Sequence, residues 1–174
     1  MSPAFRAGLV KVLGVLAVAG AFWQMPYSLA WNRTPSIPTG LYLTKKFDGG
    51  LPARQSVVCI AYSAPAWAAG RRYQPEGYRI CKPIAGIAGD IVEKIDGAVR
   101  VRTPAGETTA SVLPLLTDRG GAALNTQALR PGPIAQGEVV LLATYHPSSL
   151  DSRYLGAFPI SKITHQIWPL WVKD

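Results

Sequence analysis

Residues 12–32 run for 21 positions without a formal charge, mostly apolar, with Arg6 and Lys11 before them and Arg33 after. At about 1.5 Å per residue, a helix of that length matches the roughly 30 Å hydrocarbon core of a bilayer. A segment committed to lipid leaves only the remainder of the chain to build a core. The early part, VLGVLAVAGAF, also has the character of a cleavable secretory segment. The small-residue site that cleavage needs, at 19–21, falls inside the apolar run, and the sequence stays uncharged through Trp23, Tyr27 and Trp31, aromatics of the kind found at membrane interfaces. An uncleaved signal anchor is the expectation. A buried core helix is the competing reading; Pro26 and the lack of a polar face count against it. Basic residues ahead of the run set the N-terminus in the cytoplasm, and everything beyond Asn32 outside the inner membrane, in the periplasm of a Gram-negative host.

The rest of the chain is long enough for one domain with its own core. With 17 Gly and 15 Pro in 174 residues, short strands joined by turns are favoured over long helices. Segments 56–63, 78–86, 90–95, 98–103 and 138–145 are rich in β-branched residues and bounded by turn formers, and read as strands. Asp96-Gly97, between two of them, signals a two-residue hairpin. Segment 104–137 lacks pattern and reads as an irregular insertion with one short helix. The organisation expected is an anchor over 1–32 and a compact, mainly β, antiparallel domain over 33–174. The net charge of +8 is scattered in pairs without interleaved aromatics, which favours an anionic membrane surface over nucleic acid.

Chemistry concentrates in three segments. In NRTPSIPTGLY, residues 32–42, Pro35 and Pro38 flank Ser36 and hold it in extended backbone, a nucleophile if a base is supplied from elsewhere, or else part of a linker. In RICKPIAGIAGD, residues 79–90, Lys82 lies inside an apolar strand. Burial without a carboxylate lowers a lysine pKa by up to about 3–5 units and frees a neutral amine; a side chain turned to water is the alternative. In HPSSLDSRYLGAFP, residues 146–159, Ser149 or Ser152 offers a hydroxyl to such an amine, and Asp151 can pair with Arg153. His146 near Asp151 also admits a Ser-His-Asp triad, the weaker choice. Cys59 and Cys81 are the only cysteines, compatible with a disulfide outside the cytoplasm whose geometry the sequence leaves open. Together with His146 and His165 they lack the close spacing of a zinc site, so neither metal nor cofactor is expected.

Taken in order behind the anchor, these segments resemble the boxes of the type I signal peptidase clan, most closely its conjugal-transfer, TraF-type branch. The matching patterns are N-x-T-x-S-x-P-x-G-x-Y at 32–42, C-K-x-x-x-G-x-x-G-D at 81–90 and S-x-D-S-R-Y-x-G at 149–156. Ala88, where the family commonly has proline, is a departure that touches no reactive group. The resemblance implies that Ser36 is the acylating serine and Lys82 its general base, and that Thr34 assists the oxyanion hole. It further implies that Ser149 orients the lysine, that Asp151 and Arg153 form a supporting pair, and that Asp151 is itself required for activity. It implies a membrane-inserted propilin as substrate, matured and cyclised for a type IV secretion apparatus. A general type I signal peptidase acting on many preproteins and a non-catalytic periplasmic assembly factor are the rival readings.

Overall fold

A computed structural model describes residues 26–173. The strands in chain order are β1 (Tyr27–Asn32), β2 (Thr39–Lys46), β3 (Val57–Ala61), β4 (Arg79–Ile87), β5 (Ile91–Ile95), β6 (Ala98–Arg102), β7 (Thr108–Val112), β8 (Gly132–Pro133) and β9 (Glu138–Leu141). A four-residue helix, α1 (Ser152–Leu155), precedes β10 (Phe158–Pro159) and the long β11 (Ile163–Lys173). They form a seven-stranded sheet, β1-β2-β11-β3-β4-β9-β10, and a four-stranded sheet, β7-β6-β5-β8. Every pairing is antiparallel.

Period-2 alternation explains which faces are buried. In β9, Val139 and Leu141 enter one core cluster with Val58, Ile60, Ile80 and Ile84, while Val140, with Leu142 just past the strand, enters a second with Val92, Val99 and Val101. The central strands are thus covered on both faces, which is why their sequences are continuous apolar runs. At the β5–β6 turn, Asp96 and Gly97 both have positive φ, 51° and 78°, the backbone that a two-residue hairpin requires.

Two expectations are corrected. Residues 12–25 of the apolar run lie outside the described residues, but 27–32 belong to β1, paired with β2 from Tyr27↔Lys45 to Asn32↔Gly40, so an anchor ends before Tyr27. Among the described residues no helix is long and apolar enough to cross a membrane. Segment 104–137 contains no helix; it supplies β7 and β8 to the smaller sheet. The C-terminal β11 joins the β1–β2 hairpin to β3 and tolerates Pro169 at a bulge between Pro169 and Trp171.

Candidate active site

Ser36 sits at the tip of the β1–β2 hairpin, and one side chain organises that tip. Asn32 Nδ2 donates to the carbonyls of Thr34 (2.8 Å), Ile37 (3.2 Å) and Pro38 (3.0 Å). Its Oδ1 accepts from Thr34 N (3.2 Å) and Thr34 Oγ1 (2.9 Å). Pro38 O also accepts from Tyr42 Oη at 2.7 Å. Asparagine followed two residues later by a donating N–H is an Asx turn, the one signal by which the sequence marked Asn32, a residue whose part was not foreseen. The Thr34 hydroxyl assigned to the oxyanion hole is committed here to Asn32, whereas Ser36 N–H makes no hydrogen bond among the described residues.

The tip is fastened to the strands behind it. Ile37, next to Ser36, packs in a buried cluster with Tyr42, Cys59 and Ile167. Cys59 and Cys81 are bonded as a disulfide across directly paired positions of β3 and β4, one residue before Lys82. Gly40 closes the hairpin at φ 144°, where a Cβ would run into the Trp171 carbonyl of β11.

Lys82 shares the strand face of Ile80 and Ile84, and only 4% of its surface is exposed, so it does not point to water. No carboxylate forms a salt bridge with it among the described residues. Burial lowers its pKa from 10.5 to about 8; the Asp151 charge works against that shift and the Arg153 charge adds to it. Ser36 and Lys82 line the same cavity, of about 440 Å³, together with Ile37, Ile80, Leu150 and His146.

Asp151 and Arg153 do not line that cavity; both are fully buried. Asp151 Oδ1 accepts from Arg153 N (3.1 Å) and Nε (2.9 Å), and Oδ2 from Arg153 Nη2 (2.9 Å) and Ala143 N (3.0 Å). The remaining guanidinium donors go to the carbonyls of Leu113 (3.1 Å), Pro147 (3.1 Å) and Ser149 (3.0 Å). All five N–H groups of the arginine are used. Asp151 therefore has both carboxylate oxygens engaged within the protein: it caps α1 and fixes the loop that carries Ser149. That pairing also removes it from any triad with His146, whose Nδ1 lies 2.9 Å from Ser148 Oγ. Ser149 Oγ is buried without a hydrogen-bond partner among the described residues, and Ser149 does not line the cavity.

Asp90, the acid that ends the second box, serves the fold. Arg54 grips its carboxylate through Nε (2.8 Å) and Nη2 (2.6 Å), and Ile87 N donates to Oδ2 at 3.0 Å, fixing the turn from β4 into β5. Among the described residues no group of His, Cys, Asp and Glu is placed to hold a metal ion.

Residues 4–171 match the family model described as "Signal peptidase, peptidase S26", and the chain belongs to that family of serine peptidases. No curated protein matches. Among solved structures, signal peptidase I from Enterococcus faecalis V583 is similar at 18% identity and a TM-score of 0.37, over 66% of this chain and 94% of that one. The family assignment rests on the first of these matches, and it implies preprotein substrates.

Proposed function

We propose that this chain is a membrane-anchored serine endopeptidase in which Ser36 is acylated and Lys82 is the general base, and that its substrate is a conjugative propilin, processed and closed into a ring for type IV secretion. One observation carries the reading: a buried lysine, without a carboxylate partner among the described residues and poised near pKa about 8, lines the same cavity as a serine held on a rigid hairpin tip. A neutral amine accepts the Ser36 hydroxyl proton as Oγ attacks the scissile carbonyl. The unengaged Ser36 N–H is the donor for the developing oxyanion. Collapse of the tetrahedral intermediate expels the leaving amine, protonated by Lys82, and leaves an ester on Ser36. Water then gives a linear product and the substrate's own N-terminal amine a cyclic one. Ser149, which does not line that cavity and whose buried hydroxyl has no partner among the described residues, is given the role of orienting the amine by the family resemblance alone.

An exposed aromatic face supports the anchored reading. Trp31 of β1 is 54% exposed and Trp171 of β11 is 62% exposed, their rings 6.0 Å apart, with Tyr27 6.5 Å from Trp168 alongside. In the anchored reading these belong at a headgroup layer, next to the apolar run of the sequence. An enzyme so placed meets substrates whose apolar segments share its plane, and an extended segment ending in a small residue can lie in the cleft against Ile37, Ile80 and Leu150.

The test is mass spectrometry of propilin incubated with the full-length protein in proteoliposomes. Wild type gives a product lighter by one water than the linear form, and Ser36→Ala or Lys82→Met gives none. Processing that survives Ser36→Ala overturns the peptidase. A linear product only returns the chain to general preprotein hydrolysis, the function that family membership supports equally well.

A further inference from the structure

Among the described residues, the cleft around Ser36 and Lys82 is lined by Arg33, Arg79 and Arg119 and by no aspartate or glutamate. All three arginines are exposed, and none forms a salt bridge among the described residues. Arg33 comes from the nucleophile hairpin and Arg79 from the strand of the base. Arg119 is delivered from 104–137, the segment whose sequence carries no recognisable chemistry.

Its delivery is built. Asp118 Oδ1 accepts from Gly120 N and Ala122 N, both at 2.9 Å, and Asp118 N donates to Ala122 O at 2.9 Å. Asp118 Oδ2 accepts from Tyr73 Oη at 2.6 Å, and Tyr73 itself lines the cleft. Arg71 Nη1 donates to Ala123 O at 2.6 Å on the far side of the turn. The neighbouring carboxylate is thereby spent on the turn, and Arg119 is left on a fixed tip with its fork of donors unclaimed by any acid.

We propose that Arg119, supported by Arg33 and Arg79, reads a carboxylate on the substrate, so that the enzyme selects segments with an acidic group close to the scissile bond. The inference rests on the peptidase reading and names the substrate class for that site. A planar guanidinium matches a carboxylate through two parallel hydrogen bonds, and a cleft of one sign repels substrates carrying lysine or arginine there. The carboxylate has two possible sources, an acidic side chain or the free C-terminus of a substrate cut near its end.

The test uses full-length protein in detergent micelles and fluorogenic peptides with one small residue at the cleavage position. Members of one set differ only by Glu→Gln at successive flanking positions; members of the other only by a free or amidated C-terminus. We expect kcat/KM to favour the acidic peptide about tenfold in one set, and which set responds identifies the source. Arg119→Gln should collapse the ratio toward one, Arg119→Lys restore part of it, and Arg119→Glu invert the preference toward a Lys-bearing peptide. Fluorescence anisotropy of the same peptides on Ser36→Ala protein should show the same ranking without turnover. A ratio near one in both sets with the wild type, or one unmoved by Arg119→Gln, overturns the proposal while leaving the peptidase intact. Absence of Ser36-dependent cleavage of every peptide sinks the peptidase, and anisotropy then decides the carboxylate preference by itself. Loss of binding to anionic vesicles in Arg119→Gln without any peptide preference assigns the arginine to lipid headgroups and also refutes it.

Discussion

The two halves of the proposed catalytic apparatus are held by opposite means. The loop behind Lys82 is fixed by an ion pair with no exposure to water, in which every arginine N–H and both carboxylate oxygens are occupied. The hairpin tip that carries Ser36 is held chiefly by an asparagine side chain at the edge of solvent, making five hydrogen bonds, with Ile37 packed behind it. The base must be kept dry for its pKa to stay low, so its support can be buried and saturated. The nucleophile must be reached by a peptide chain, so its support must stay at the surface. One half should fail by unfolding and the other by losing its aim.

The largest effect is expected at Arg153. Arg153→Met strips the Asp151 carboxylate of two donors, leaves three backbone carbonyls unanswered and should destabilise by about 3–5 kcal/mol in urea denaturation. Replacing both members, Asp151→Leu with Arg153→Met, should recover part of that loss, because no charge is then buried alone. Destabilisation below about 1 kcal/mol for the single variant would erase the contrast between the halves.

Lys82 comes next, and its effect has the opposite sign. The folded-state pKa of about 8 lies below 10.5, so the unfolded chain binds the proton more strongly. Stability should therefore rise with pH between about 8 and 10.5, with the full cost present below about 8. At about 1.36 kcal/mol per unit the cost is on the order of 3 kcal/mol. Lys82→Met should be more stable than wild type near pH 7 by up to that amount, lose the rise, and be inactive. In the wild type kcat/KM should climb about tenfold per pH unit up to about 8 and then level as the amine becomes neutral. Equal urea midpoints for wild type and Lys82→Met across that range would place the amine in water.

How much of this was legible in the sequence follows from which residues carry their own signal. β3, β4, β5, β6 and β9 are continuous or alternating β-branched runs and were readable, as was the Asp96-Gly97 turn. β11, which ties the larger sheet together, was not, because Pro169 and its bulge break the alternation. β1 was hidden inside an uncharged run whose hydropathy is the same whether it meets lipid or a neighbouring strand. Ser36, Lys82, Ser149, Asp151 and Arg153 stood in ordered boxes, but the division of labour did not. That Asp151 is saturated by Arg153 and Ala143, and that Lys82 faces inward, depend on packing between segments distant in sequence. Arg119 had no signal, since nothing in 104–137 says that its turn returns to the cleft.

The smallest effect on stability, and the sharpest test of the contrast, is at Asn32. Asn32→Ala removes hydrogen bonds that water can largely replace at this half-buried position, so the fold should lose only about 1 kcal/mol. The tip would no longer be drawn in by the carbonyls of Thr34, Ile37 and Pro38, and displacement of the serine by about 1 Å is enough to cost on the order of a hundredfold in rate. That loss should fall on kcat with KM little changed, because Asn32 holds the loop and not the peptide. Asn32→Asp is the informative companion. It keeps the oxygen that accepts from Thr34 but sets a carboxylate oxygen against three carbonyls, so it should be slower than Asn32→Ala despite being nearly isosteric with the native residue. If the two variants rank the other way, the acceptor side of Asn32 is what aims Ser36, and the three carbonyl contacts are incidental to catalysis.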